Sequence, residues 1–100
     1  HVMDLADGHI QTLKLLFSND NYFINLNLGT GNGKTVLEVI KTFEKTNLVK
    51  IPYVFKKRRI GDNAKVVADN ALAKKILDWS PSLSLEDMCR DSWKWQNKDN

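Results

Sequence analysis

Apolar residues recur every three or four positions in four stretches of the chain, a spacing typical of amphipathic helices. An acceptor side chain precedes each stretch, where it can bind the free N–H groups of a first helical turn. Thr35 is followed three positions later by Glu38, which predicts a reciprocal capping box. The first helix is predicted over about Leu5 to Phe17 and the second up to about Lys45. The predicted caps are Asp4, Thr35, Asp69 and Ser84.

The same spacing assigns an apolar face to each predicted helix. Side chains on that face are expected to pack together, because burial of apolar surface drives folding. The faces consist of Ala6, Ile10, Leu13 and Phe17 in the first helix, Val36, Val39, Ile40 and Phe43 in the second, Leu72, Ala73, Ile76 and Leu77 in the third, and Leu85, Met88, Cys89 and Trp93 in the fourth.

Alternating apolar and polar positions predict short strands between these helices. Residues 22–28 alternate apolar side chains with asparagines, and residues 53–55 form a second apolar run. Residues 1–3 look like the end of a further strand, and residues 66–67 like a short extended piece. The pattern therefore predicts an α/β fold, a small domain of a few strands with about four helices.

Length and composition limit the kind of protein this is. The 100 residues suit a single domain, predicted to span 1–100 without an internal boundary, and 42% hydrophobic with 27% charged residues is typical of a globular chain. No apolar run approaches the roughly 18 residues that cross a membrane. The single cysteine excludes a disulfide framework or a cysteine-built zinc site.

Since the chain opens in an apparent strand without an initiator methionine, we expect it to be a piece of a longer protein.

Glycines 29, 31 and 33 form a loop between a predicted strand and a predicted helix. That setting suits a phosphate-binding loop, but a P-loop requires a glycine at position 28, where the chain has Leu28. The third glycine of a dinucleotide fingerprint would fall on Lys34. We therefore interpret the loop as a tight turn in which glycine supplies positive φ.

The run from Lys56 to Arg59 concentrates positive charge, and three interpretations stay open from the residues alone. The run could contact nucleic acid, or protect a sheet edge with solvated charge. In the third, Arg59 and Asp62 stand on one short turn as an anion site. Arginine presents a planar fork to phosphate oxygens, and an aspartate accepts hydrogen bonds from ribose hydroxyls. Such a pair would grip a nucleoside diphosphate.

Several segments of the chain resemble the carboxy-terminal region of the UDP-glucose 4-epimerases, which are extended short-chain dehydrogenase/reductases. The resemblance covers essentially the whole chain in order, and its most specific part is the Arg-Arg-x-Gly-Asp turn combined with a final Trp-x-Trp-Gln. The segments are His1–His9, Asn27–Gly31, Arg58–Asp62 and Trp93–Gln96.

The resemblance implies the substrate-binding part of a cytoplasmic isomerase that lacks its amino-terminal Rossmann half. In such enzymes the Rossmann domain holds NAD, which removes hydride from sugar C4 and returns it to the other face. The implied site comprises Arg59 on the diphosphate, Asp62 on the ribose and Val66 in the sugar pocket, with Ile60 and Gly61 on the connecting turn. The implied partners are a UDP-sugar, the Rossmann domain and a second subunit of a homodimer, but neither nucleic acid nor membrane.

The chain departs from the complete family pattern in its catalytic parts. It has no dinucleotide loop, so we expect no NAD bound to this piece and no activity of the piece alone. Tyr53 and Lys57 spell Tyr-x-x-x-Lys, but along a strand they would stand about 13 Å apart. No catalytic residue is therefore predicted. Another nucleotide-sugar epimerase or dehydratase, or an independent basic binding module, remains the alternative.

Overall fold

The computed structural model describes residues 1–18 and 23–98. Four α-helices lie in these ranges: α1 at Val2–Phe17, α2 at Val36–Asn47, α3 at Ala71–Leu77 and α4 at Leu85–Gln96. All four were predicted from the sequence, with ends that differ by a few residues. None of the helices in the described ranges is long and apolar enough to cross a membrane.

The chain folds into two compact units, each built from two separate stretches of sequence. The first unit takes the described residues of 1–33 together with 67–83, and the second takes 34–66 and the stretch from residue 84 onward. This division does not test the prediction that residues 1–100 form one domain, which stays a prediction.

In the first unit, α1 packs against α3 around Trp79. The Trp79 side chain is 3% exposed, and its Nε1 donates to the backbone carbonyl oxygen of Asp4 at 3.0 Å. Ala73 and Leu77 of α3 are buried beside it. The half-buried side chains around this centre are Leu15, Leu26, Leu28 and Ile76. The core of the unit thus joins positions far apart in sequence.

In the second unit, α2 packs against α4. The rings of Phe43 and Trp93 meet edge to face with their centroids 5.7 Å apart. Cys89 is buried, as predicted, and burial raises the pKa of its thiol. The Asn47 amide nitrogen donates across the pair to the Cys89 carbonyl oxygen at 3.2 Å. These contacts hold α2 and α4 together in the second unit.

The predicted strands are not confirmed. Val2 already belongs to α1, so the strand end at residues 1–3 is wrong. Residues 23–28, 53–55 and 66–67 form no β-ladder within the described ranges, because no neighbouring segment pairs with their backbone groups. Tyr22, predicted to start the first strand, lies outside the described residues.

Two further expectations about α1 are wrong. Asp4 is not its N-cap, since that position is taken by His1, whose Nδ1 accepts from the Met3 N–H at 3.1 Å. The predicted apolar face of α1 is exposed; Ile10 is 51% and Phe17 86% accessible. The helix instead turns Asp4 and Gly8 into the unit.

The other predicted faces are partly correct. Cys89 is buried and its predicted neighbours on α4 are half-buried, which confirms that face. Ala73 and Leu77 confirm most of the α3 face. On α2, Ile40 and Phe43 are half-buried, but Val36 is 77% exposed. Val36 is the first residue of α2, where a side chain extends beyond the contact with α4.

Candidate functional site

The basic segment predicted to bind an anion forms a tight turn between Arg58 and Asp62. The Asp62 N–H donates to the Arg59 carbonyl oxygen at 3.4 Å, which closes the turn. Gly61 has φ +89°, a conformation that side-chain-bearing residues rarely adopt. The glycine thus allows the chain to reverse and brings Asp62 back toward the two arginines.

Two arginines hold Asp62 through different atoms. The Arg59 Nε donates to the carboxylate Oδ2 at 3.1 Å, and the Arg58 Nη2 donates to the backbone carbonyl oxygen at 2.7 Å. The predicted pairing of Arg59 and Asp62 on one turn is therefore present. The contact of Arg58 was not predicted, although a second arginine beside a Gly-Asp turn is a visible signal for it.

The ion pair is open to solvent. The Arg59 side chain is 86% exposed and that of Asp62 is 41% exposed. An exposed pair of this kind contributes at most about 1 kcal/mol to stability. Among the described residues Arg59 donates to Asp62 through Nε alone, so its two terminal Nη groups can bind an incoming anion without breaking the pair.

An open concavity of about 580 Å³ adjoins the turn. Val66, predicted in the sugar pocket, lines this concavity and is 79% exposed, so it does not belong to a core. The complete lining is Arg58, Arg59, Gly61, Asp62, Asn63, Ala64 and Val66. Four of the five predicted site residues are therefore brought together in one place.

Ile60 is the predicted site residue that the concavity does not include. Its side chain is fully exposed on the turn. Asn63 and Ala64 line the concavity instead, and no sequence motif had selected them. An isoleucine in this position adds no polar group that recognises a phosphate or a ribose.

The glycine loop of the first unit is closed by its own hydrogen bonds. Gly31 has φ +71°, which confirms the interpretation as a tight turn. The Asn32 N–H donates to Thr30 Oγ1 at 3.1 Å, and the Asn70 side chain donates to the Gly29 carbonyl oxygen at 2.7 Å. Of these groups, the Asn32 N–H is one that a phosphate-binding loop would present to its ligand. Because Lys34 also stands where a dinucleotide loop needs its third glycine, the loop does not fit NAD.

The aromatic residues near the basic run are exposed. Tyr53 is 46% and Phe55 82% exposed, and the two rings meet edge to face at 5.6 Å. Trp95 is also exposed, with the Lys98 ammonium 5.3 Å from its ring centroid. Neither cluster is part of the concavity.

Comparison with known proteins gives the same family from sequence and from structure, although no family model matches the chain. The chain is 52% identical over 99 residues to UDP-glucose 4-epimerase 3 of Oryza sativa, an alignment that covers 98% of this chain. It is 47% identical over 100 residues to the UDP-glucose 4-epimerase of Bacillus subtilis. The chain is homologous to a segment of the UDP-glucose 4-epimerases.

The solved structures of these epimerases share the fold of the segment. The Stenotrophomonas maltophila enzyme, with bound NAD and formylated UDP-arabinopyranose, superposes with a TM-score of 0.91 at 46% identity over 98% of this chain. The Bifidobacterium longum enzyme, in complex with NAD⁺ and UDP, gives 0.88 at 43% identity over 99% of this chain. Both are enzymes of the short-chain dehydrogenase/reductase type, as the resemblance implied.

The segment is a small part of these relatives. It spans 26% of the Oryza protein, 28% of the Bacillus protein and 29% of each solved chain. Three quarters of a UDP-glucose 4-epimerase therefore have no counterpart in the 100 residues.

Proposed function

We propose that this chain is the UDP-sugar-binding part of an NAD-dependent UDP-glucose 4-epimerase. The observation that carries the proposal is the Arg59–Asp62 turn, which borders a concavity in a chain homologous to those epimerases. The two solved relatives contain UDP or a UDP-sugar. The carboxy-terminal position of the segment in the complete enzyme is part of the same proposal.

Arg59 and Asp62 have separate roles in the proposed site. The two Nη groups of Arg59 bind diphosphate oxygens, since a guanidinium matches them with two parallel hydrogen bonds. The Asp62 carboxylate accepts hydrogen bonds from the ribose hydroxyls. Oδ1 lies outside the ion pair with Arg59, so it is available for this purpose.

Three neighbouring residues shape the proposed site. Gly61 allows the turn, and the adjacent Ile60 serves as a spacer between the two polar groups. Val66 lies four residues beyond Asp62 on the lining of the concavity and faces the sugar. A small apolar side chain there leaves room for a substituent on the sugar ring.

The remaining parts of the reaction belong to the rest of the epimerase. NAD supplies hydride transfer when bound, but the internally bonded glycine loop of this chain does not fit it. A Rossmann domain outside these 100 residues would hold NAD and the catalytic groups. The homodimer, the cytoplasmic location and the inactivity of the isolated chain stay predictions.

The test is UDP binding by the complete polypeptide that carries this chain, measured by calorimetry. Arg59→Ala and Asp62→Ala should each weaken binding by about 2 kcal/mol, or about thirtyfold, because each removes charge-assisted hydrogen bonds. Lys57→Ala is the matched control, since it removes a positive charge from the same run but lies outside the hydrogen bonds of the turn.

Two outcomes contradict the proposal. Unchanged UDP affinity in the Arg59→Ala, Asp62→Ala double variant would remove the site assignment. Salt-dependent binding of generic DNA that is lost in the Lys57→Ala variant, with no UDP binding in the parent protein, would favour a basic binding module.

A further inference from the structure

Arg58 belongs to the same turn as the proposed diphosphate ligand but contacts the backbone. Its Nη2 donates to the Asp62 carbonyl oxygen at 2.7 Å, whereas Arg59 binds the carboxylate. Asp62 is therefore fixed at its main chain by one arginine and at its side chain by the other. In this arrangement Arg58 holds the turn, and Arg59 is left to bind the ligand.

The turn depends on such a contact because its other restraints are weak. The backbone bond that closes it measures 3.4 Å, well beyond the usual 2.9–3.0 Å for N–H···O. Gly61 adds backbone freedom, and no atom lies within 4 Å of the position that a Cβ on Gly61 would occupy. The bond from Arg58 is short and charge-assisted, so it is the strongest link across the turn.

We propose that Arg58 is a positioning residue, whose guanidinium fixes the Asp62 carbonyl group and so holds Arg59 and Asp62 at the spacing that binds a nucleoside diphosphate. This inference rests on the proposed function and adds to it a residue that does not itself touch the ligand. A planar guanidinium suits the task, since it loses less freedom for each hydrogen bond than a flexible ammonium does.

A direct contact of Arg58 with phosphate is the competing role, because Arg58 also lines the concavity. The two roles differ in their dependence on Arg59. A positioning residue sets the spacing between Arg59 and Asp62, so most of its effect is lost once Arg59 is removed, whereas a direct ligand contributes equally in both backgrounds. A double-mutant cycle therefore separates them.

The experiment measures the dissociation constant of UDP for the complete polypeptide that carries this chain, with Arg58→Met, Arg59→Ala and both together. Arg58→Met should weaken binding by about fivefold, the usual worth of one hydrogen bond. In the Arg59→Ala background the loss should be clearly smaller, because only Asp62 remains to be held. Lys57→Met, which removes the adjacent charge, should leave the affinity unchanged.

A second measurement reports the turn itself. In ¹H–¹⁵N spectra of this chain, Arg58→Met should shift the Arg59 Nε–Hε and Gly61 signals while those of α2 and α4 stay in place. Lys57→Met should shift neither. Unmoved Arg59 and Gly61 signals would overturn the positioning role even if the affinity falls.

The binding outcomes distinguish failure of this inference from failure of the proposed function. Equal losses from Arg58→Met in both backgrounds would make Arg58 a direct ligand and overturn the inference while keeping the UDP site. Loss with Arg59→Ala but none with Arg58→Met would also overturn it. UDP binding that neither variant changes would remove the site and the inference together.

Discussion

Asp4 shows how one residue can have a different role from the one its position in the sequence suggests. An aspartate before an apolar helical pattern favours an N-cap, but here it lies in the first turn of α1 and is buried. Its Oδ1 accepts from the Ser82 N–H at 3.0 Å and from Ser82 Oγ, and its Oδ2 accepts from the Leu83 N–H at 3.1 Å. These partners are nearly eighty residues away, so no local pattern reveals them.

Asp4→Asn should destabilise the first unit by about 1–3 kcal/mol, since the amide keeps only one acceptor oxygen and leaves a buried polar group unmatched. Urea denaturation at neutral pH measures this cost. Asp7→Asn is the control in the same helix, because the Asp7 carboxylate is exposed and accepts only from Gln11 at 3.2 Å. Equal stability of the two variants would contradict the role of Asp4.

Asp4 should also make the first unit sensitive to acid. The Ser82 N–H, followed by the Leu83 N–H and the Ser82 hydroxyl, lowers the pKa of Asp4 below its ordinary value of 3.8. The unfolded chain then takes up the proton first as pH falls, so this stabilisation is present above 3.8 and is lost as pH drops through the lower folded value. Asp4→Asn should remove that part of the pH dependence.

Val66 is expected to control the size of the sugar. It lines the concavity with a small side chain, so the complete enzyme should epimerise both UDP-galactose and UDP-N-acetylgalactosamine. Val66→Tyr should lower the N-acetyl activity by about tenfold or more through steric exclusion and retain the other. Val54→Tyr, also at an exposed valine, is the control. Kinetics that show equal loss of both activities would assign Val66 a structural role.

At the scale of elements, two of the four predicted helix caps are confirmed. Thr35 with Glu38 forms the predicted capping box, and Ser84 caps α4 as predicted, with Asp87 completing a second box. Asp69 stands one residue before the N-cap Asn70 of α3, yet its Oδ1 accepts from the Ala71 N–H at 2.9 Å. Such signals are predictable because every partner lies within three residues.

The strands and the α1 face were less predictable because their partners are remote. In residues 23–28 the alternation is visible in burial, with Ile24, Leu26 and Leu28 half-buried and the asparagines between them exposed. A strand also needs a neighbouring backbone, which the pattern cannot supply. Likewise, either of two faces of α1 could be buried. The buried residues Asp4 and Gly8 show that the less apolar face packs against the core.

Ser84→Ala should test the second capping box. The change should destabilise the second unit by about 1 kcal/mol, because the Asp87 N–H loses its acceptor Ser84 Oγ and the Asp87 carboxylate loses the Ser84 hydroxyl donor. Ser92→Ala, at an exposed position in the middle of α4, should cost nothing. Thermal denaturation compares the two variants.

The same variant has a second readout in the pKa of Asp87. The Ser84 hydroxyl is the largest cause that lowers this pKa to about 2, ahead of the Ser84 N–H and Arg90. Ser84→Ala should therefore raise the Asp87 pKa toward its ordinary value in an NMR titration. A pKa that stays near 2 would show that the Ser84 N–H and Arg90 together account for the shift.

At the scale of the whole molecule, the first unit leaves one face of α1 without cover. The exposed apolar residues on this face recur at helical spacing: Met3, Ile10, Leu13 and Phe17, between 51% and 86% accessible. Contiguous apolar surface of this kind favours association in water.

The isolated chain should therefore associate through α1 in a concentration-dependent way. Sedimentation velocity should show dimers that increase with concentration, and the double variant Ile10→Gln, Leu13→Gln should shift the chain toward monomer. The double variant Val36→Gln, Val54→Gln is matched to it, since it removes two exposed apolar side chains from the second unit and should leave association unchanged. Circular dichroism checks that both variants keep their helices. A parent chain that stays monomeric at every concentration would contradict the prediction, and equal effects of the two double variants would show that general hydrophobicity, and not the α1 face, drives association.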